Sequence, residues 1–313
     1  MKRLIFFGLF SVGALILWGV ACASTPKPEQ PAFADNMTLL SVQGYDVSYL
    51  KSGEGPVILL LHGGGAWSYT WRHNLEDLAE THTVIAVDMY GHGGTRKHAD
   101  AQGLAYTLEG TSQFLKSFLD QLGIEKASLV GNSWGGGWAL AFAQRFPERT
   151  DKLVLIGSSG IPGRERLEWE AMKWPIIGRL TTAMINRGNT ADGLRAATAK
   201  PGAVTDMDID AAWWALSFRE VRTAQRRFMA GLDWSETQDA AADTKADTLI
   251  IWGREDAYTP VQRGAALCQA LPNARFLLVG NAGHVTQEDQ PQVVNTAIID
   301  FLSGGQVGAD CPD

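Results

Sequence analysis

The segment Gly131-Asn132-Ser133-Trp134-Gly135 sets one serine between glycines, directly after the apolar run "KASLV" and directly before "GGWALAFAQRF", which reads as a helix. A strand, a sharp turn and a helix in that order make a G-x-S-x-G elbow. A β-carbon two residues before or after the serine would strike neighbouring backbone, so glycine at 131 and 135 permits a turn that larger residues forbid. The serine then stands above the sheet edge at a helix N-terminus, where the dipole favours developing negative charge. The chemistry that suits such a residue is nucleophilic attack.

A hydroxyl attacks readily only when a base takes its proton, and imidazole titrates in the right range. His62, His73, His82, His92 and His98 all precede the serine in helix, strand-edge or loop settings. His284 alone follows the last expected strand, in "LLVGNAGHVTQEDQP", where glycines free a loop. That imidazole needs a carboxylate on a neighbouring loop to hold its tautomer and stabilise its charged form. Arg254-Glu255-Asp256 follows the strand "TLIIWG"; Asp256, deeper in the loop, is the expected partner and Glu255 its competitor. The strand before it ends in "LIGSSGIPG", which offers no acid. The catalytic set expected is therefore Ser133, Asp256 and His284. An oxyanion formed on the substrate would be received by the backbone N–H groups of Trp134 and Gly64, with Gly65 of the same "LHGGGAW" loop as the alternative to Gly64.

These residues need a scaffold, and its elements follow in order. "TLLSVQGYDVSYLKSG" alternates around a glycine and predicts a hairpin. "PVILLLHG", "HTVIAVDMYG", "KASLVGN", "DKLVLIGSSG", "DTLIIWG" and "ARFLLVG" are unbroken apolar runs, as strands buried on both faces of a parallel sheet require. Helical patterns such as "TSQFLKSFLDQLG" and "PQVVNTAIIDFL" lie between and after them. The fold expected is α/β: a mostly parallel sheet of about eight strands, helices on both faces, and a helical cap inserted between strands 6 and 7. The core would comprise residues 37–160 and 245–304, and the cap residues 161–244. Trp174, Trp213 and Trp214 of the cap, with Trp67 of the glycine loop, are candidate walls of a substrate pocket.

The N-terminal stretch "MKRLIFFGLFSVGALILWGVACAS" has a short basic start, an uncharged apolar run from Leu4 to Val20, and then small residues. This is the layout of a secretory signal, expected over residues 1–23. "GVAC" also resembles a bacterial lipobox with Cys22 as lipid acceptor, and residues 24–36, proline-rich and polar, suit an extended tether. The expected location is outside the cytoplasm, in the periplasm or attached to a membrane through lipidated Cys22. Cys268 and Cys311 would then be free to pair, pinning the glycine-rich tail 305–313; a buried Cys268 beside a free tail thiol is the other possibility.

Composition narrows the remaining classes. The chain has 313 residues, 45% of them hydrophobic, and a formal charge of −7, ample for a large core and unsuited to nucleic acid. No zinc-type Cys/His spacing, phosphate-binding GxxxxGK[ST] loop or EF-hand pattern occurs, and neither metal nor cofactor is expected.

In family order, the elbow, "HGGG", "VDMYGHGGT", "WGRED" and "GNAGH" resemble the α/β-hydrolases over residues 37–303. "HGGGAWSYTWR" and the Trp after the nucleophile are similar to the haloalkane dehalogenase and epoxide hydrolase branch. That branch uses aspartate where Ser133 stands; serine displacing a halide would leave a stable ether, which argues against dehalogenation. "GNSWGG" resembles the elbow of meta-cleavage product hydrolases, which split carbon–carbon bonds in dienone acids, although those carry an aromatic residue where Val285 follows His284. Proline iminopeptidases share a "GxSWG" elbow but show "HGGPG", and no Pro stands at Gly65 or Ala66. The resemblance implies a serine hydrolase; the apolar residues of the cap and the acidic charge point to neutral esters of small to medium acyl chain, with amides poor, and large lipid droplets poor unless the cap helices open at an interface. A binding protein on a hydrolase fold is the alternative from another class.

Overall fold

The computed structural model describes residues 28–312. The expected signal sequence, Cys22 and the first residues of the expected tether lie outside them. Strands β1 (Thr38–Val42), β2 (Tyr45–Ser52), β3 (Val57–Leu61), β4 (Thr83–Val87), β5 (Arg96–Lys97), β6 (Ala127–Asn132), β7 (Thr150–Ile156), β8 (Asp247–Gly253) and β9 (Ala274–Val279) form one sheet. Its order is β1-β2-β4-β3-β6-β7-β8-β9, with β5 pairing β2 off that path. β1 and β2 are the expected hairpin, turning at Gln43 and Gly44, both at positive φ. From β4 onward along that order every neighbour is parallel.

The count is nine strands rather than about eight, because two residues, Arg96 and Lys97, pair with Tyr45 and Asp46 of β2. So short a pair carries no apolar alternation to read. Numbered accordingly, the insertion falls between β7 and β8.

Period-two geometry explains how uninterrupted apolar strands fill two layers at once. Leu59, Leu61, Ile85, Val87, Leu129, Leu153 and Leu155 enter one buried cluster, under the helices Leu108–Gln121 and Trp134–Arg145. Ile58, Leu60, Val84, Ala86, Val130, Val154 and Ile156 enter the other, with Val294, Ile298 and Phe301 of the helix Pro291–Leu302. Each such side chain contributes about 1.5–3 kcal/mol on burial. The sheet therefore forms a rigid platform, and the loops at the carboxyl ends of its parallel strands inherit fixed positions.

Between β7 and β8 the chain forms helices Leu167–Met172, Pro175–Ala183, Arg187–Ala197, Asp206–Ser217, Arg219–Gly231 and Ser235–Asp239. Asn186 and Thr205 start two of them as capping boxes. The cap is tied to the body by named bonds: Trp67 Nε1–H donates to Ala211 O at 3.1 Å, and Thr237 Oγ1–H to Gly160 O at 2.7 Å. Among the described residues, no helix is long and apolar enough to cross a membrane.

Both ends of the described chain are more ordered than their composition suggests. Ala32–Asn36 of the expected tether is a 3-10 helix, not extended chain, and Phe33 packs edge-on against Trp67 and Tyr69 at 5.5 and 5.2 Å. One aromatic side chain among polar neighbours finds a cleft, which overrides the proline-rich bias around it. At the other end Cys268 and Cys311 are joined, closing a loop of 43 residues, and Ala309 pairs with Phe276 at the edge of β9.

Candidate active site

Ser133 is the turn residue between β6 and the helix Trp134–Arg145, at φ 56° and ψ −120°. That left-handed backbone is costly for a residue with a side chain and survives only where its surroundings hold it. Here they do: Ser133 N–H donates to Ile156 O at 3.0 Å, and Ser133 O accepts from Ser159 N–H at 2.9 Å. The two glycines make the crossing possible. A β-carbon on Gly131 would lie 2.3 Å from the Gly135 carbonyl, and one on Gly135 would lie 2.2 Å from Leu61 O.

His284 sits in the loop after β9, and its Nδ1 lies 2.9 Å from Asp256 Oδ2 in the loop after β8. The other oxygen of Asp256 accepts the N–H groups of Tyr258 and Thr259, both at 2.8 Å. A fully buried carboxylate with three such partners acts as an acceptor only, so Nδ1 carries the proton and Nε2 is left as the free base. Asn132 Nδ2–H bonds the carbonyls of Ile156 and His284, each at 3.0 Å, tying the histidine loop to the strand that carries the serine. Glu255, the competing acid, turns away and accepts the Ala282 N–H at 3.0 Å.

The ring of Tyr258 stacks on that of His284, centroids 5.2 Å apart, while its hydroxyl donates to Gly193 O of the cap at 3.0 Å. Sequence reasoning missed Tyr258, although its place two residues after the acid was a usable signal.

The remaining histidines fall to other tasks. His62 Nε2 accepts the Met89 N–H at 3.1 Å, leaving Nδ1–H to donate to Gly63 O at 2.8 Å. Burial holds its pKa below the ordinary value and keeps it neutral, the state this bonding requires. His62 thus anchors the glycine loop. His92 is buried beside it and likewise pushed well down by burial. His98 pairs with Asp46, and His82 bonds Thr81, both remote from Ser133.

In the anchored loop, Gly64 faces the Trp134 ring so closely that a β-carbon would lie 2.6 Å from it, and Gly65, at φ 72°, faces Gln225. Trp134 occupies the first helical position, where its N–H has no acceptor within the helix.

Ser133, His284, Gly64, Gly65 and Trp134 all open on one cavity of about 480 Å³ beneath the cap. Trp67 lines it, but Trp174, Trp213 and Trp214 do not. Trp174 is 65% exposed just before Pro175, while Trp213 and Trp214 are buried within the cap, Trp214 against Trp67 with centroids 4.9 Å apart. The walls come instead from Trp134, Trp169, Met172, Ile185 and Leu216. No cluster of His, Cys, Asp or Glu suited to a metal ion occurs among the described residues.

A serine at a strained strand-helix turn, an acid and a histidine on later loops of a parallel sheet, and a cap over all three define a hydrolase of the α/β class. The chain belongs to the alpha/beta hydrolase fold family, whose model matches residues 56–291. It is 34% identical over 274 residues to a 2-hydroxymuconate semialdehyde hydrolase of Pseudomonas sp. (strain CF600), covering 82% of this chain and 90% of that one. It superimposes on a meta-cleavage product hydrolase from Pseudomonas fluorescens IP01 with TM-score 0.73 at 25% identity, covering 85% of this chain and 97% of that one. A thermophilic esterase from Thermogutta terrifontis shares the fold, with TM-score 0.73 at 23% identity and coverages of 85% and 98%.

Proposed function

We propose that this hydrolase cleaves neutral carboxylic esters through an acyl-enzyme on Ser133. His284 Nε2 takes the hydroxyl proton as Ser133 Oγ attacks the ester carbonyl, and Asp256 stabilises the imidazolium that results. The N–H groups of Gly64 and Trp134 receive the oxyanion. His284 then protonates the departing alcohol, and a water activated by the same nitrogen releases the acid. No step calls for a metal or cofactor.

The observation that carries the ester reading is the charge of the cavity wall. Two cations, Arg72 and Arg166, line it, against Glu165, Glu168, Asp192, Asp208 and Glu288. Arg72 is held between Glu288 at 2.5 Å and Asp208 at 2.9 Å. Burial pushes its guanidinium pKa down, but those two carboxylates more than offset this and leave it raised. Arg166 pairs with Glu168 at 2.5 Å and lies over the Tyr258 ring. Arg72 is committed to its two carboxylates and Arg166 to Glu168 through Nε, and the surplus of acid, five carboxylates against two guanidiniums, disfavours a substrate carboxylate.

Carbon–carbon bond hydrolysis of a dienone acid is the second reading, favoured by the relatives above. The two separate in one assay. Turnover of p-nitrophenyl butyrate at least about tenfold above that of a 2-hydroxy-6-oxo-dienoate, followed through loss of its chromophore, is the expected result; the reverse ranking would establish the second reading.

Gly64→Ala tests the oxyanion site. The added methyl meets the Trp134 ring and must displace the loop, so kcat for the butyrate ester is expected to fall on the order of 10²–10³-fold, with KM little changed. An unaltered kcat would move the donor elsewhere.

We place the protein outside the cytoplasm, a reading supported by the N-terminal pattern and by the pairing of Cys268 with Cys311.

A further inference from the structure

The cap helices Leu167–Met172 and Pro175–Ala183 face the cavity on one side and are exposed on the other. Their inner sides give Trp169, Met172 and Thr181 to the cavity. Outward, Leu167, Trp174, Ile176, Ile177, Leu180 and Met184 are between 52% and 79% exposed. Concentrating six large apolar side chains within eighteen residues makes a contiguous patch of the kind that marks a binding surface.

Two further facts identify what covers it. Exposed Lys173 and Arg179 flank Trp174-Pro175-Ile176-Ile177, and a tryptophan amid aliphatic residues with basic neighbours is the composition of a segment lying at a lipid headgroup boundary. The chain also arrives at the cap from an apolar N-terminal segment. Phe33 is seated on Trp67 and Tyr69, in a cluster completed by Trp214 and Ala215 of the cap helix Asp206–Ser217. Eleven positions separate it from Cys22, the lipid acceptor of the expected lipobox, a reach of at most about 40 Å. A lipid on Cys22 would hold the membrane within that reach of the cap.

We infer that the outer face of residues 167–184 docks on a lipid bilayer, so that neutral acyl substrates enter the cavity from the membrane through the cap. The nature of the substrate rests on the ester reading above; the docking does not. With an overall charge of −7, the surface it suits is zwitterionic rather than strongly anionic.

Hydrogen exchange of the full chain, with and without phosphatidylcholine vesicles, tests this. Amides of residues 174–184 are expected to slow at least about tenfold when vesicles are added, while those of the helix Pro291–Leu302, in the core, do not change. The double variant Ile176→Ser/Leu180→Ser, at two residues that do not line the cavity, should lose most of that protection and keep p-nitrophenyl butyrate turnover within about twofold. Vesicle binding without slowing at 174–184 would mean that the N-terminal segment alone does the anchoring, and would overturn the proposal. So would slowing that rises with protein concentration in the absence of lipid, since that assigns the face to a second copy of the chain. Failure of the ester reading would show separately, as absent turnover of the soluble ester.

Discussion

Ser133→Ala is expected to lower kcat for p-nitrophenyl butyrate on the order of 10⁶-fold, the loss seen when a triad serine is removed. Nothing else in the cavity can replace the lost hydroxyl, because His284 without a nucleophile to deprotonate can only activate water, and does so in a site shaped for a different attack. The fold should not suffer. Alanine relieves no clash and creates none at φ 56°, and the backbone bonds to Ile156 and Ser159 do not involve the side chain. Full activity in a folded Ser133→Ala protein, with no acyl group trapped in the wild type, would remove Ser133 from the mechanism.

The second large effect is at Asp256. Asp256→Asn is expected to cost on the order of 10⁴ in kcat, and the hydrogen bonds say why. One carboxylate oxygen is committed to the N–H groups of Tyr258 and Thr259, so an asparagine would keep its carbonyl there and turn its NH₂ toward His284. Nδ1 would then accept instead of donate, the proton would move to Nε2, and the imidazole could no longer take one from Ser133. Glu255→Gln should change kcat by no more than a few-fold, since a glutamine carbonyl still accepts the Ala282 N–H. The opposite ranking of the two variants would make Glu255 the working acid.

The difference between what can and cannot be read from the chain is visible in these residues. The elbow is legible because its constraint is steric and local: no residue but glycine fits at 131 and 135, so the spacing itself carries the geometry. Asp256 and His284 are legible because each follows an unbroken apolar strand, and the ends of parallel strands share one edge. The cap is another matter. Helical periodicity says that Trp213 and Trp214 are buried but not against what; Trp214 packs against Trp67 of the glycine loop, and neither lines the cavity. Trp174 misleads for a related reason. It lies beside Pro175–Ala183, whose large apolar residues face outward while Thr181 faces the cavity, the reverse of what an amphipathic pattern suggests. Arg72, which ties the glycine-loop side of the body to the cap through Asp208, has partners 136 and 216 positions away, a separation that no local pattern records. Phe33 shows the same limit at the N-terminus, where a single side chain decides the conformation of a segment whose composition points elsewhere.

The sheet treats everything between β7 and β8 as one crossover between adjacent parallel strands, paired from Lys152–Asp247 to Ile156–Ile251. The entropy of closing such an excursion grows only with the logarithm of its length, about 0.6 kcal/mol for each doubling. The serine lies before this excursion, and the acid and histidine after it, so the strands that carry all three lie outside it, and it holds them only through backbone bonds, Ser159 N–H to Ser133 O and His284 N–H to Ala197 O. In a lineage of such enzymes the excursion can therefore be lengthened, shortened or rewritten while the chemistry persists, and recognition can diverge faster than reaction type. Two relatives that agree closely along the strands can part company on what they consume through changes in those ninety residues alone.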